Sequence, residues 1–207
     1  MSTQRLIALV LLVTVITLGI SKCAEAETIE PVNKKCTGDR LVVFSGQIDE
    51  SILENFSAKL VPCLKKGKQV QLILNSDGGD VVSSFGAYEL IRVADTNKRL
   101  MVTVHNKVSS AAVMIFLSVP VQNREIGCFG NMILHEPTLS ALINANVYAL
   151  EFELGSLKLK RATYVSIIAQ NTNLTEETVS SMMKETTLLT AQDMVRYGFA
   201  ERIVGCK

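Results

Sequence analysis

Strand-like and helix-like segments alternate through the first half of the chain. Residues 40–47, 69–74 and 100–104 have the apolar composition of buried strands. Between them, apolar residues recur at helical spacing in residues 50–66 and 81–91. Because strand–helix–strand units at such short intervals form parallel sheets with right-handed crossovers, the sequence predicts an α/β fold with a parallel sheet and crossover helices.

Shorter elements are predicted in the second half of the chain. They are a buried helix at 109–119, a strand at 131–134, a helix at 175–184, a short strand at 188–189, a helix at 190–197 and a last strand at 200–204.

The most regular apolar pattern lies in residues 141–171, where it follows alternating steps of four and three. It consists of Ile143, Val147, Leu150, Leu154 and Leu157, and it continues past Arg161, its one polar interruption, to Tyr164 and Ile168. One helix of about thirty residues would be ~45 Å long, more than a small domain needs to cover its core. We therefore expect it to project and pack against a second copy of the chain; the alternative is a helix lying across its own sheet.

The N-terminus has the organisation of a secretory signal peptide. A short polar start precedes an apolar run at residues 6–20, and a small-x-small site follows at residues 24–26. The run would reach ~22 Å as a helix, which is short for an uncleaved anchor in a ~30 Å hydrocarbon core. Lipidation at Cys23 is a further alternative. We predict a signal peptide at 1–26 and a periplasmic protein.

The predicted mature chain has an N-terminal arm at 27–39 and one domain at 40–207. The 21 Lys and Arg against 20 Asp and Glu, with no long run of either sign, argue against a nucleic-acid partner. The hydrophobic content of 48% excludes a disordered chain.

Four cysteines remain after removal of residues 1–26: Cys36, Cys63, Cys128 and Cys206. An oxidising compartment could pair them in three ways, and buried free thiols are the alternative.

Chemistry in an open parallel sheet is expected at the carboxyl ends of its strands, here a predicted turn at 75–80 and the segment 105–110. Gly78 and Gly79 allow close backbone approach and leave N–H groups free, as an oxyanion site requires. Ser110 is expected at the start of a buried helix, where it could act as a nucleophile.

A general base for such a serine must be one of two histidines, His105 or His135, each at the end of a predicted strand. Two histidines without grouped cysteines or carboxylates supply no recognisable metal-ligand set, so neither a metal nor a cofactor is expected.

Four motifs in order resemble the proteolytic subunit of the Clp protease, in the Clp/crotonase fold group, over residues 40–204. They are Asn75-Ser76-Asp77-Gly78-Gly79, Val108-Ser109-Ser110-Ala111-Ala112, Leu134-His135-Glu136-Pro137, and Leu189-Thr190-Ala191 with Tyr197-Gly198. The interval of twenty-five residues from serine to histidine also matches, and the long helix falls where that family has its projecting handle helix.

The resemblance implies Ser110 as nucleophile and His135 as general base. It also implies an oxyanion hole formed by the backbone N–H groups of Gly78 and Ala111.

The segments beginning at Gly79 and Pro137 would then clamp an extended peptide as an added strand.

The sequence departs from the family pattern at three places. Asp77 replaces a proline, and Ser109 replaces a small residue before the nucleophile. The family's catalytic aspartate falls at Thr186, next to Glu185. Loss of the corresponding carboxylate lowers kcat by about 10⁴ in serine proteases of the chymotrypsin type, so a substantial loss of activity is expected here.

The resulting prediction is an ATP-independent serine peptidase that acts on short or unfolded peptides, because a secreted protein has no ATPase partner. The alternatives are a weak or inactive scaffold or binding protein, an acyl-CoA enzyme of the crotonase type, and a Ser-Lys dyad. Candidate bases for the dyad are Lys107, Lys158 and Lys160.

Overall fold

The computed structural model describes residues 41–65, 69–139 and 145–206. The predicted signal peptide at 1–26 and arm at 27–39 lie outside these ranges. Among the described helices, none combines the length and apolar character needed to cross a membrane.

The described residues contain seven strands, six α-helices and a short 3₁₀ helix at Val121–Asn123. The strands are β1 (Leu41–Ile48), β2 (Val70–Gly79), β3 (Leu100–Ser109), β4 (Arg124–Gly127), β5 (Asn131–Leu134), β6 (Thr187–Thr190) and β7 (Arg202–Val204). The helices are α1 (Glu50–Lys65), α2 (Val81–Ala94), α3 (Ala112–Leu117), α4 (Val147–Gln170), α5 (Glu176–Glu185) and α6 (Ala191–Arg196).

The strands form one sheet in the order β1-β2-β3-β4-β7, and every pair along this path is parallel. β3 is shared by two neighbours: residues 102–104 pair with β4, and residues 107–109 pair with β5. β5 in turn pairs with β6, the one antiparallel ladder among the described strands. The predicted α/β fold with a parallel sheet and crossover helices is confirmed, and the fork of β3 places the end of β5 beside the end of β3.

The polar turn predicted at 75–80 is wrong, because β2 continues through it to Gly79. β3 likewise runs to Ser109, well beyond the predicted end at residue 104. Both strands lie inside the sheet, so ladder pairing on both sides extends them past their apolar residues. A break of register between Leu74 and Ser76 accommodates the extension.

β4 is absent from the sequence prediction because it begins with two charged residues, Arg124 and Glu125, both buried. The Arg124 guanidinium donates to the carbonyls of Asn171 and Phe199, each at 3.1 Å. Glu125 accepts from the Thr103 hydroxyl at 3.0 Å. These partners allow charged side chains to occupy a central strand, which an apolar pattern cannot predict.

The helix after β3 is shorter than predicted, six residues at Ala112–Leu117 in place of 109–119. Ser109 still belongs to β3, and Ser110 and Ala111 form the turn. All six side chains of α3 are fully buried, which fixes this turn against the core of the domain.

The long helix α4 has 24 residues, ~36 Å, and is shorter than the predicted helix at 141–171. Asn146 begins it by accepting a hydrogen bond from the N–H of Ala149 at 2.9 Å. Ile143 lies outside the described residues.

The two halves of α4 have different environments. In the C-terminal half Tyr164, Val165 and Ile168 are buried against the domain. The N-terminal half exposes apolar side chains, namely Val147, Tyr148, Leu150, Phe152 and Leu154, and Leu159 just past the midpoint is exposed as well. The C-terminal half therefore packs against its own domain, whereas packing of the N-terminal half against a second copy stays a prediction.

Cys128 and Cys206 form a disulfide with a Cα–Cα distance of 5.3 Å across 78 residues of sequence. It ties the segment after β4 to the segment after β7. Cys63 is disulfide-bonded as well. The free-thiol alternative is therefore wrong for these three residues, and Cys36 lies outside the described part of the chain.

Candidate active site

Ser110 occupies the tight turn between β3 and α3 with a φ of 53°. Its N–H donates to the carbonyl of Ile133 at 3.0 Å, and its own carbonyl accepts from the N–H of Val113 at 3.0 Å. The expectation of a serine at a helix start is corrected: Ser110 lies two residues before Ala112, in a left-handed conformation that non-glycine residues rarely adopt. Its side chain is half-buried.

Gly78 lies directly against this turn, with a φ of 100°. A Cβ added there would come within 2.6 Å of the Ser110 Cβ, 2.8 Å of the Ser109 carbonyl oxygen and 3.0 Å of the Ala111 nitrogen. The structure thus brings together Gly78, Ser110 and Ala111, the residues of the predicted oxyanion hole.

One of the two predicted oxyanion donors is already engaged. The N–H of Gly78 donates to the Ser76 hydroxyl at 3.1 Å, and that hydroxyl donates to the Gly46 carbonyl at 2.6 Å. The N–H of Ala111 meets no backbone acceptor among the described residues. An oxyanion would therefore have to compete with Ser76 for the Gly78 donor.

Gly79, predicted to bind peptide, has a φ of 145° and pairs with Ile48 of β1. A Cβ at this position would approach the Ile48 carbonyl oxygen to 2.2 Å, so the close approach of β1 requires glycine. Pro137, the other predicted peptide contact, is half-buried in the segment that follows β5.

His135 directly follows β5. In the parallel ladder Ser109 pairs with Ile133, so Ser110, one residue beyond Ser109, and His135, two residues beyond Ile133, lie toward the same end of the sheet. The Nδ1–H of His135 donates to the carbonyl of Glu136 at 2.7 Å. Because a carbonyl can only accept, Nδ1 carries a proton, and in the neutral imidazole Nε2 is then the nitrogen with the free lone pair.

A hydrogen bond between Ser110 and His135 is not formed within the described residues. Such catalytic hydrogen bonds are often long in ligand-free proteins and shorten when substrate binds. His105, the other candidate base, is exposed on β3, five residues before Ser110.

Glu136, next to His135, is held by a residue of the long helix. The Arg161 Nε donates to both carboxylate oxygens of Glu136, at 2.8 and 2.7 Å. This ion pair explains the single polar interruption in the apolar pattern of α4.

Tyr164, one turn further along α4, donates its hydroxyl to the carbonyl of Ser110. Its side chain is buried, and burial raises the pKa of Tyr164 well above its usual range, so the hydroxyl stays protonated as a donor.

Thr186, at the position of the family's aspartate, ends α5 with a φ of 56° and is exposed. The antiparallel pair Leu134–Thr187 makes His135 and Thr186 the next opposed positions of the two chains. Thr186 nevertheless makes no side-chain hydrogen bond to His135 among the described residues. Glu185, also exposed, accepts from the Ser181 hydroxyl at 3.2 Å. No carboxylate therefore contacts Nδ1 of the imidazole within the described part of the chain.

The lysines of the alternative dyad have other environments. Lys107 forms an ion pair with Asp77, the residue that replaces the family's proline. The Lys107 ammonium makes no hydrogen bond to Ser110 among the described residues. Lys158 and Lys160 lie on α4, away from the Ser110 turn in sequence and without a hydrogen bond to it among the described residues.

Sequence reasoning missed three residues that contact the site: Ser76, Arg161 and Tyr164. Arg161 had a visible signal as the one charge in an apolar pattern. Ser76 lies inside a quoted motif but without an assigned role, and Tyr164 is indistinguishable from a core residue in the sequence.

Comparisons with known proteins identify the family and the fold. A family model described as Clp protease matches residues 24–207. The ATP-dependent Clp protease proteolytic subunit 3 of Nocardia farcinica is 22% identical over 169 residues, covering 80% of this chain and 75% of its own. Proteolytic subunit 2 of Borreliella burgdorferi is 29% identical over 100 residues, covering 47% of this chain and 50% of its own.

A solved structure of a ClpP1 point mutant from Listeria monocytogenes superimposes with a TM-score of 0.70 at 21% identity. The match covers 81% of this chain and 92% of that one, and it shows the shared fold. Because the family model spans nearly the whole sequence, the chain belongs to the Clp protease family.

Proposed function

We propose that this protein is a serine peptidase that cleaves short or unfolded peptides, with Ser110 as nucleophile and His135 as general base. The observation that carries the proposal is the φ of 53° at Ser110, in a turn that packs against Gly78 and beside the end of β5. Strained backbone at a non-glycine residue is stable only where its surroundings enforce it, and such strain concentrates at functional sites.

In this mechanism Nε2 of His135 takes the proton of the Ser110 hydroxyl as Oγ attacks the peptide carbonyl carbon. The carbonyl π electrons move to its oxygen, which becomes the oxyanion. The protonated imidazole then gives its proton to the leaving amine as the C–N bond breaks, and an acyl-enzyme is left on Ser110. A water molecule then attacks the ester carbonyl carbon as His135 takes its proton. The ester C–O bond breaks, the acid product leaves, and the protonated His135 returns its proton to Oγ of Ser110.

The oxyanion would be stabilised by the N–H groups of Gly78, which packs against the Ser110 turn, and of Ala111, which belongs to that turn. Substrate binding would exchange the Gly78 hydrogen bond from the Ser76 hydroxyl to the oxyanion. The chain beginning at Gly79 and the segment containing Pro137 would flank an extended peptide as an added strand.

A second candidate function is a scaffold or binding protein with the fold but without turnover. The observation that favours it is the absence of a carboxylate at Thr186, which leaves the imidazolium formed during attack without an anionic partner.

A secreted, periplasmic location is part of the proposal. It rests on the predicted signal peptide at 1–26 and is supported by the Cys128–Cys206 disulfide, since disulfides persist in oxidising compartments. An enzyme outside the cytosol would work without an ATP-driven partner, in contrast to relatives whose names describe them as ATP-dependent.

Self-association through α4 is also proposed. The N-terminal half of α4 exposes several apolar side chains. Among them, Leu150 is 47% exposed and Leu154 is 49% exposed in the single chain. A second copy offering the same face would bury them.

The test is labelling with a serine-reactive fluorophosphonate, read by mass spectrometry of the modified peptide. The adduct should form on Ser110 and disappear in Ser110→Ala. Ser109→Ala is the matched control, because the Ser109 hydroxyl is buried without a hydrogen-bond partner and its removal leaves nothing unsatisfied. An adduct on Ser109 overturns the assignment, and no adduct with intact folding favours the scaffold.

A further inference from the structure

Arg161 and Tyr164 are three residues apart on α4 and so project from the same face of the helix. Each contacts one side of the candidate Ser–His pair. Tyr164 donates to the carbonyl of Ser110, and Arg161 donates to the carboxylate of Glu136. The buried half of the long helix therefore touches both the nucleophile turn and the histidine segment.

On the nucleophile side, the contact is to backbone that has an unfavourable conformation. The φ of 53° at Ser110 needs fixed hydrogen bonds on both sides of the residue. Ile133 accepts from its N–H, and the buried Tyr164 hydroxyl binds its carbonyl. Without the Tyr164 hydroxyl, the Val113 N–H would be the remaining donor to that carbonyl.

On the histidine side, Glu136 is bonded at two places. Its carboxylate receives the Arg161 Nε, and its backbone carbonyl accepts the Nδ1–H of His135 at 2.7 Å. The two groups belong to one residue, so fixing the side chain limits how far the carbonyl can turn away from the imidazole. The ion pair has side-chain exposures of 37% and 35%, and it therefore competes with water only in part.

The Nδ1-protonated tautomer is the one in which Nε2 can take a proton from serine. In this chain a peptide carbonyl supplies the acceptor for Nδ1–H, while Thr186 makes no side-chain hydrogen bond to His135 among the described residues. A carbonyl orients the ring and selects the tautomer, although it lacks the charge that a carboxylate would contribute.

We propose that Arg161 and Tyr164 are positioning residues for the Ser110–His135 pair: Tyr164 fixes the turn of the nucleophile, and Arg161 fixes the Glu136 carbonyl that selects the His135 tautomer. The inference deepens the proposed function and rests on it. Neither residue touches the reacting atoms.

The first test measures the tautomer itself by ¹⁵N NMR of protein labelled at histidine, with His105→Asn used to assign the two imidazoles. The parent should show Nδ1 protonated and Nε2 unprotonated at His135. Arg161→Gln should shift the ring toward a mixture of both tautomers, and Arg161→Lys should recover part of the parent spectrum. Glu151→Gln, at an exposed position on the same helix, is the matched control and should leave it unchanged.

The second test measures peptide turnover and fluorophosphonate labelling. Arg161→Gln and Tyr164→Phe should each lower kcat and the labelling rate at least tenfold with KM within twofold, because both act on alignment and not on substrate contact. Tyr164→Phe removes only a hydroxyl from the core, so the variant keeps its packing.

The two tests separate the failure of this inference from that of the proposed function. A His135 tautomer unchanged in Arg161→Gln, or labelling unchanged in Tyr164→Phe, overturns the positioning roles. If the His135 tautomer shifts in Arg161→Gln but the parent neither hydrolyses peptides nor reacts with the probe, the Arg161 contact is supported and only the peptidase function is overturned.

Discussion

Gly78 and Ser110 are in contact so close that no side chain fits between them: a Cβ at Gly78 would lie 2.6 Å from the Cβ of Ser110. The glycine also has a φ of 100°, which L side chains rarely adopt. β2 and the nucleophile turn are therefore packed through a position that admits only hydrogen.

Gly78→Ala should lower the free energy of unfolding by ~2–5 kcal/mol, the sum of left-handed strain and overpacking, and should abolish fluorophosphonate labelling of Ser110. Gly46→Ala is the matched control, because Gly46 has a similar φ of 109° but nothing within 4 Å of an added Cβ. Gly46→Ala should lower the free energy of unfolding only by the left-handed strain, ~1–2 kcal/mol, and should leave labelling of Ser110 intact. Urea denaturation measures both; equal effects of the two variants would contradict the contact.

His135, and not His105, is expected to be the general base. His135→Ala should lower kcat by ~10²–10⁴, the usual contribution of general base catalysis, whereas His105→Ala should change it less than threefold because the exposed His105 precedes the Ser110 turn on β3. Peptide hydrolysis decides the point, with circular dichroism to verify folding. An equal loss of kcat in both variants, or a loss only in His105→Ala, would contradict the assignment of His135 as the general base.

Much of the fold follows from local pattern, because strands and helices of the parallel sheet each bury a regular apolar face. β4 could not be predicted from an apolar pattern, because it buries Arg124 and Glu125. Their hydrogen-bond partners, such as the Phe199 carbonyl, are distant in sequence. Ser110 and His135 follow from motif order. The contacts that Arg161 and Tyr164 of α4 make with Glu136 and Ser110 depend on how the helix packs against the domain. The spacing of apolar residues in the sequence does not determine that packing.

Self-association predicts a result for α4. Leu150→Asp combined with Leu154→Asp should dissociate the assembly, because each leucine would otherwise bury its exposed half, worth ~1 kcal/mol, and each aspartate adds a desolvation cost. Sedimentation velocity should show a smaller particle for the double variant than for the parent or for Glu151→Gln. A parent that sediments as a monomer, or an unchanged double variant, would rule out this interface.

Stability should fall as pH rises above about 10, through Tyr164. Burial raises the pKa of Tyr164 in the folded chain, while in the unfolded chain it loses its proton near pH ~10. Above pH ~10 the folded chain therefore keeps the Tyr164 proton that the unfolded chain has lost. The contribution of Tyr164 to the free energy of unfolding is complete below pH ~10 and declines by up to ~1.4 kcal/mol per pH unit above it. Urea denaturation at pH 9 and 11 should show a steeper decline for the parent than for Tyr164→Phe.

Arg124 changes the free energy of unfolding in the opposite direction to Tyr164 over the same pH range, above about 10. Burial lowers its pKa to about 10, so its deprotonation favours the folded state as the pH rises further. This contribution is common to the parent and Tyr164→Phe, and the difference between them isolates Tyr164. Tyr148→Phe, at a residue 82% exposed, should follow the parent, and a parent-like slope in Tyr164→Phe would contradict the prediction.

Thr186→Asp should raise kcat at least tenfold with little change in KM, equivalent to ~1.4 kcal/mol of transition-state stabilisation. The carboxylate would face His135 across the β5–β6 ladder, compete with the Glu136 carbonyl for Nδ1–H, and stabilise the imidazolium that forms during attack. The backbone should accept the change, because the φ of 56° at Thr186 suits aspartate better than a β-branched residue. Thr186→Asn, equal in shape but uncharged, is the control and should give less than half of the gain. Flat turnover in Thr186→Asp together with inactivity of Glu185→Ala would instead identify Glu185 as the orienting acid.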